Sequence, residues 1–169
     1  CLEGNILIRQ VSQELGLDFK EVGELIVAFN QDEGQRLLTI KNEAETLGVP
    51  ELRIVDKAWL RANEPNLNPE VVAALYAPSA GIISPYRLVY ALCENALKNG
   101  VEIYTQTKVE DIIFTRPGFE IQTAKDAFKA RCVINAAGLY ADEISAMLGI
   151  NDFKIRPRKG QEFILDKKK

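Results

Sequence analysis

Apolar positions along the chain repeat at helical spacing in its first hundred residues and mostly in short or alternating runs after that, so helices are expected early and strands late. Leu7, Ile8, Val11 and Leu15 form one stripe of a helix over Leu2 to Leu15, closed by Gly16. Glu24 to Phe29 reads as a strand. Asn30 and Glu33 then form a capping-box start for a helix with Leu37, Ile40, Ala44 and Leu47 at helical spacing and Gly48 at its end. Leu52 to Val55 is a short strand, Asp56 caps a brief helix bearing Trp59 and Leu60, and Pro65 stops it before the loop Asn66 to Pro69. Val71 to Tyr76 is strand-like. Ser84 and Pro85 open a further helix, with Leu88, Leu92, Cys93, Ala96 and Leu97 as its buried stripe and Gly100 as its stop.

From Val101 the pattern predicts strands over Val101 to Tyr104, Thr107 to Phe114, Phe119 to Thr123, Ala127 to Ala130 and Cys132 to Asn135. Turns at Arg116-Pro117-Gly118 and Ala124-Lys125-Asp126 suit antiparallel hairpins. A last short helix is expected over Ala141 to Leu148, with strands over Phe153 to Arg156 and Gln161 to Leu165.

Composition is that of an ordinary globular protein, 47% hydrophobic and 27% charged. Net charge is −3 with both signs interspersed, which gives no support to nucleic-acid binding. No stretch approaches the roughly 20 apolar residues of a membrane helix, and the first thirty residues do not combine a basic stretch, a long apolar run and a small-residue cleavage site. Cys1, Cys93 and Cys132 are odd in number and show no C-x-x-C spacing. A soluble, reduced, cytoplasmic setting is therefore expected. Histidine is absent, which removes any Ser-His or Cys-His nucleophile pair within the chain. The chain opens at Cys1 without an initiator Met, and Met147 is its one methionine, so it is expected to be an interior fragment of a larger protein.

The most pointed local feature is Val133 to Gly138, an apolar run ending in Ala136, Ala137 and Gly138. Residues this small either let a ligand reach the backbone or let a helix pack closely. Arg156, Arg158 and Lys159 flank Pro157 before Gly160, and form either a solvated edge or a contact for phosphate or carboxylate. Tyr86 and Arg87 are weaker candidates at a helix start, and Asp142 and Glu143 most simply complement a helix dipole.

Gly81-Ile82-Ile83-Ser84-Pro85 before a helix, Asn99-Gly100-Val101, Thr107-Lys108-Val109 with Ile112, a hairpin, and then Val133 to Gly138 resemble, in order and spacing, the FAD-dependent oxidoreductases related to D-amino acid oxidase. Within them, Glu64-Pro65-Asn66-Leu67, Asn135 to Leu139 and Pro157-Arg158-Lys159-Gly160 look most like the flavin-linked glycerol-3-phosphate dehydrogenases and the L-2-hydroxyglutarate oxidases. The resemblance implies a mixed α/β fold: a largely antiparallel substrate-domain sheet with flanking helices, plus part of an FAD-binding Rossmann-like domain. It assigns segments 1–16 and 81–150 to an incomplete FAD-binding domain and 17–80 and 151–169 to a substrate-binding domain. It implies FAD as cofactor, with Val109 hydrogen-bonding the adenine through its backbone and Ala136, Ala137 and Gly138 passing close to the cofactor. Arg158 and Lys159 are the expected contacts to a small anionic substrate. A dinucleotide site also needs a G-x-G-x-x-G turn, which this sequence lacks. The chain alone is therefore expected to fold without flavin and without activity, and the catalytic base is not assigned. A non-catalytic α/β binding module is the alternative from a different class.

Overall fold

The computed structural model describes residues 2–161 and 163. Two compact units, residues 1–103 and 104–169, divide the chain.

The first unit contains α1 (Leu2–Glu14), β1 (Lys20–Glu21), β2 (Glu24–Ala28), α2 (Gln31–Thr46), β3 (Arg53–Asp56), α3 (Lys57–Asn63), β4 (Ala73–Ala77), β5 (Gly81–Ile82) and α4 (Pro85–Lys98). Its centre is an antiparallel sheet in the order β2-β4-β3, with Leu25 opposite Tyr76 and Val55 opposite Ala74. Successive strand residues point to opposite faces, so β2 and β4 each feed two cores. Ala28, Leu37, Leu52 and Leu75 form one cluster with α2, while Val55, Leu60, Val71 and Ala74 form the other with α3.

Both helices begin as their sequence dictates. The Asn30 side chain accepts from Glu33 N–H at 2.9 Å, and Glu33 returns to Phe29 N–H at 2.8 Å, which satisfies backbone donors that the first helical turn leaves open. Asp56 accepts from Trp59 N–H at 2.8 Å and starts α3 in the same way. Gly34 lies within α2, and an added Cβ there would meet nothing within 4 Å. Gly34→Ala is therefore expected to raise unfolding stability by about 0.5–1 kcal/mol, measured by urea denaturation.

Helix α1 docks through polar groups. Arg9 reaches Glu21 and the Ser79 carbonyl, both at 2.8 Å, and lies over the Phe19 ring, which ties α1 to the paired β1 and β5. The expected stripe is only half realised: Leu7 is exposed, Ile8, Val11 and Leu15 are partly buried, and the buried residue of α1 is Ser12. Helix α4 departs further from expectation. Its boundaries match, but none of its residues is fully buried, and Leu92 and Leu97 are 46% and 55% exposed. The pattern shows which face is apolar; it does not supply a partner for it.

The second unit is a meander of β6 (Val109–Thr115), β7 (Gly118–Thr123) and β8 (Ala127–Ala130), followed by a 3-10 turn (Gly138–Tyr140) and α5 (Ala141–Ala146), which packs against β6. Phe114 lies opposite Phe119, and Ile121 opposite Phe128, as the two expected hairpins require. Ile112 is the buried residue at its centre.

Three expected strands are not formed. Residues 101–104, 132–135 and 153–156 have no strand assignment and no ladder among the described residues. A strand needs a neighbour as well as an apolar run, because its N–H and C=O groups must pair. The expected strand over Gln161 to Leu165 lies largely outside the described residues. The fold class is nonetheless the expected one, mixed α/β with antiparallel sheets.

Candidate functional site

Asn135 organises the small-residue segment. Its Oδ1 accepts from Ala137 N–H at 3.2 Å, and its Nδ2 donates to the Ala141 carbonyl at 2.7 Å and to Ser145 Oγ at 3.0 Å. One carboxamide thus folds the turn back onto α5 and fixes both. Gly138 holds φ +57°, a conformation that favours glycine, while the space where its Cβ would stand is open. Ala136 is exposed and Ala137 half-buried. The turn therefore presents backbone with no side chain longer than a methyl group, as close approach by a flat ligand requires.

Asp142 stands in the first turn of α5, where it complements the helix dipole, and its two oxygens also have separate partners: Oδ1 accepts from Glu143 N–H at 3.0 Å, and Oδ2 from Ile155 N–H at 3.1 Å. The second bond brings the chain after α5 back to its first turn. Arg156, Arg158 and Lys159 follow directly, all exposed. Among the described residues none of the three is in an ion pair, so their donors are available to an anion.

Val109 opens β6 opposite Thr123 and is half-buried. A register irregularity between Val109 and Asp111 displaces Glu110. Strand β6 is an edge of its sheet, which leaves one row of backbone N–H and C=O groups without a strand partner among the described residues.

Within the second unit, α5 is bonded to Asn135 at the head of the turn 136–138 and to Ile155 before the basic segment, and it packs against β6, the strand that opens with Val109. Tyr86 and Arg87 belong to the other unit. Arg87, Lys20 and Ser84 line a groove there of about 360 Å³, in which Lys20 is already engaged with Asp18 at 3.2 Å. Among the described residues no group of three or more His, Cys, Asp or Glu is arranged to hold a metal ion.

The model of the FAD dependent oxidoreductase family matches residues 1–169. The chain belongs to that family. Among its relatives is the glycerol 3-phosphate dehydrogenase of Caloramator mitchellensis, 41% identical over 165 residues, covering 98% of this chain and 34% of the relative. The mitochondrial L-2-hydroxyglutarate dehydrogenase of Bos taurus is 28% identical, covering 100% of this chain and 39% of that protein. Among solved structures, the dithionite-reduced L-alpha-glycerophosphate oxidase of Mycoplasma pneumoniae with FAD bound superposes with a TM-score of 0.73 at 29% identity, over 82% of this chain and 38% of that one. The chain thus spans between a third and two fifths of the length of these relatives. Within the family frame, the open turn and the strand edge are compatible with a flavin dinucleotide. Asn135 and Asp142 are what sequence reasoning missed. Asn135 stood at the head of the small-residue segment without a role, and no local signal joins Asp142 to an amide thirteen residues away.

Proposed function

We propose that this chain serves an FAD-dependent dehydrogenase that oxidises a small anionic secondary alcohol, with glycerol 3-phosphate as first choice. The observation that carries the reading is the open Asn135–Gly138 turn joined through α5 to a segment bearing three exposed cations that form no ion pair among the described residues. In this reading, segments 1–16 and 81–150 belong to the flavin-binding domain and 17–80 and 151–169 to the substrate-binding domain. Bound FAD would accept the hydride from the carbinol carbon as a general base takes the hydroxyl proton. The backbone of Val109 holds the adenine, and Ala136, Ala137 and Gly138 keep side chains clear of the cofactor. Arg158 and Lys159 bind the phosphate by charge-assisted hydrogen bonds, which are about twice as strong as neutral ones.

Similarity to the glycerol 3-phosphate dehydrogenase supports the choice of substrate, and similarity to the L-2-hydroxyglutarate dehydrogenase supports a 2-hydroxy acid as the second reading. Both substrates are anionic, which suits the exposed arginine and lysine residues. The test is turnover by the enzyme carrying this chain, with an artificial electron acceptor and the two alcohols side by side. Reduction of the acceptor with glycerol 3-phosphate is expected. Turnover of L-2-hydroxyglutarate alone would reverse the order, and a purified protein that retains no yellow cofactor would remove the reading.

A further inference from the structure

The basic segment after α5 has no regular secondary structure among the described residues, so something else must fix where its charges stand. The hydrogen bond from Ile155 N–H to Asp142 Oδ2, at 3.1 Å, is the first fixed point before Arg156. Asp142 can hold this bond steadily because its other oxygen is engaged at 3.0 Å by Glu143 N–H, and because the side chain is partly buried. The residue itself is anchored by α5, whose first carbonyl and Ser145 are held by Asn135. One short helix thus carries the small-residue turn at its head and the start of the basic segment at its first turn.

We propose that Asp142 is a positioning residue, whose carboxylate tethers the Arg156–Lys159 segment to the first turn of α5 so that its cations meet the anionic group of the substrate. The inference rests on the function proposed above and adds a residue to it. Asp142 touches neither substrate nor cofactor. It acts by restricting the segment, so that the ordering of Arg158 and Lys159 is not charged against each binding event.

Two measurements test it. In the 169-residue chain, amide hydrogen exchange at Ile155 is expected to quicken by about tenfold in Asp142→Ala, with Ala137, whose N–H is held by Asn135, unaffected. Asp142→Asn keeps one acceptor oxygen for two donors and is expected to fall between, which also serves should the alanine variant fold poorly. In the flavin-loaded enzyme, Asp142→Ala is expected to raise KM for glycerol 3-phosphate by about tenfold while kcat stays within about threefold. Glu143→Gln, whose side chain takes no part, is the control. Unchanged Ile155 exchange in both variants overturns the tether. Faster exchange with unchanged KM overturns its role in substrate binding. The exchange result is read without flavin, so it decides the tether even if the unsubstituted enzyme oxidises neither alcohol; that inactivity would instead overturn the function proposed above and the substrate half of this inference with it.

Discussion

Replacing Ala136 with Leu is expected to leave the fold intact and to weaken flavin binding by roughly a hundredfold. Ala136 is exposed in the chain, and exposed substitutions away from caps and networks usually change stability by less than about 0.5 kcal/mol. The same isobutyl group would stand where the proposed cofactor passes closest to the backbone. Forcing extra methylene groups into a fitted contact costs about 1–3 kcal/mol, and the upper end of that range is roughly a hundredfold in affinity. Thermal unfolding of the flavin-free chain and fluorescence titration of the enzyme carrying this chain with FAD separate the two effects. A variant that binds FAD as tightly as the parent sequence would show that the small residues of this turn serve helix packing alone.

The second large effect is structural. Gly118 closes the β6–β7 hairpin, and a Cβ placed on it would stand 2.3 Å from the Ala130 carbonyl oxygen and 3.2 Å from Arg131 Cα. Both are backbone atoms of the neighbouring strand and its exit, so no side chain can turn aside to relieve the contact. Gly118→Val is expected to destabilise the protein by about 3 kcal/mol or to prevent the meander from forming. Urea unfolding followed by circular dichroism measures this, and a loss under about 1 kcal/mol would mean that β7 and β8 separate readily there. The Gly34→Ala substitution makes the opposite case, since at that helical site the absence of a side chain only costs stability.

How far the sequence revealed this depended on how local each determinant was. The start of α2 was fully legible because Asn30, Glu33 and Phe29 lie within five residues and make their bonds among themselves. The hairpins were legible for the same reason, with partners joined by tight turns. Val101 to Tyr104 and Cys132 to Asn135 carry equally apolar sequences, yet strand pairing depends on a neighbour that no local pattern specifies, and here none pairs with them among the described residues. Burial failed similarly on α4, where none of the expected stripe Leu88, Leu92, Cys93, Ala96 and Leu97 is buried, because periodicity cannot say what covers a face. The small-residue turn was visible as composition. Its geometry was not, because it rests on bonds from Asn135 to Ala141 and Ser145 and from Asp142 to Ile155, and these distances become short only after α5 has formed.

Helix α4 also governs how this polypeptide behaves as a solute. Tyr86, Val89 and Tyr90 are 58–78% exposed on it, and Leu92 and Leu97 add to the same uncovered apolar surface. A net charge of −3 provides little repulsion between molecules. Sulfate and phosphate, which strengthen apolar association, are therefore expected to raise the apparent mass of the chain in light scattering, and low salt, which leaves its charges less screened, to lower it.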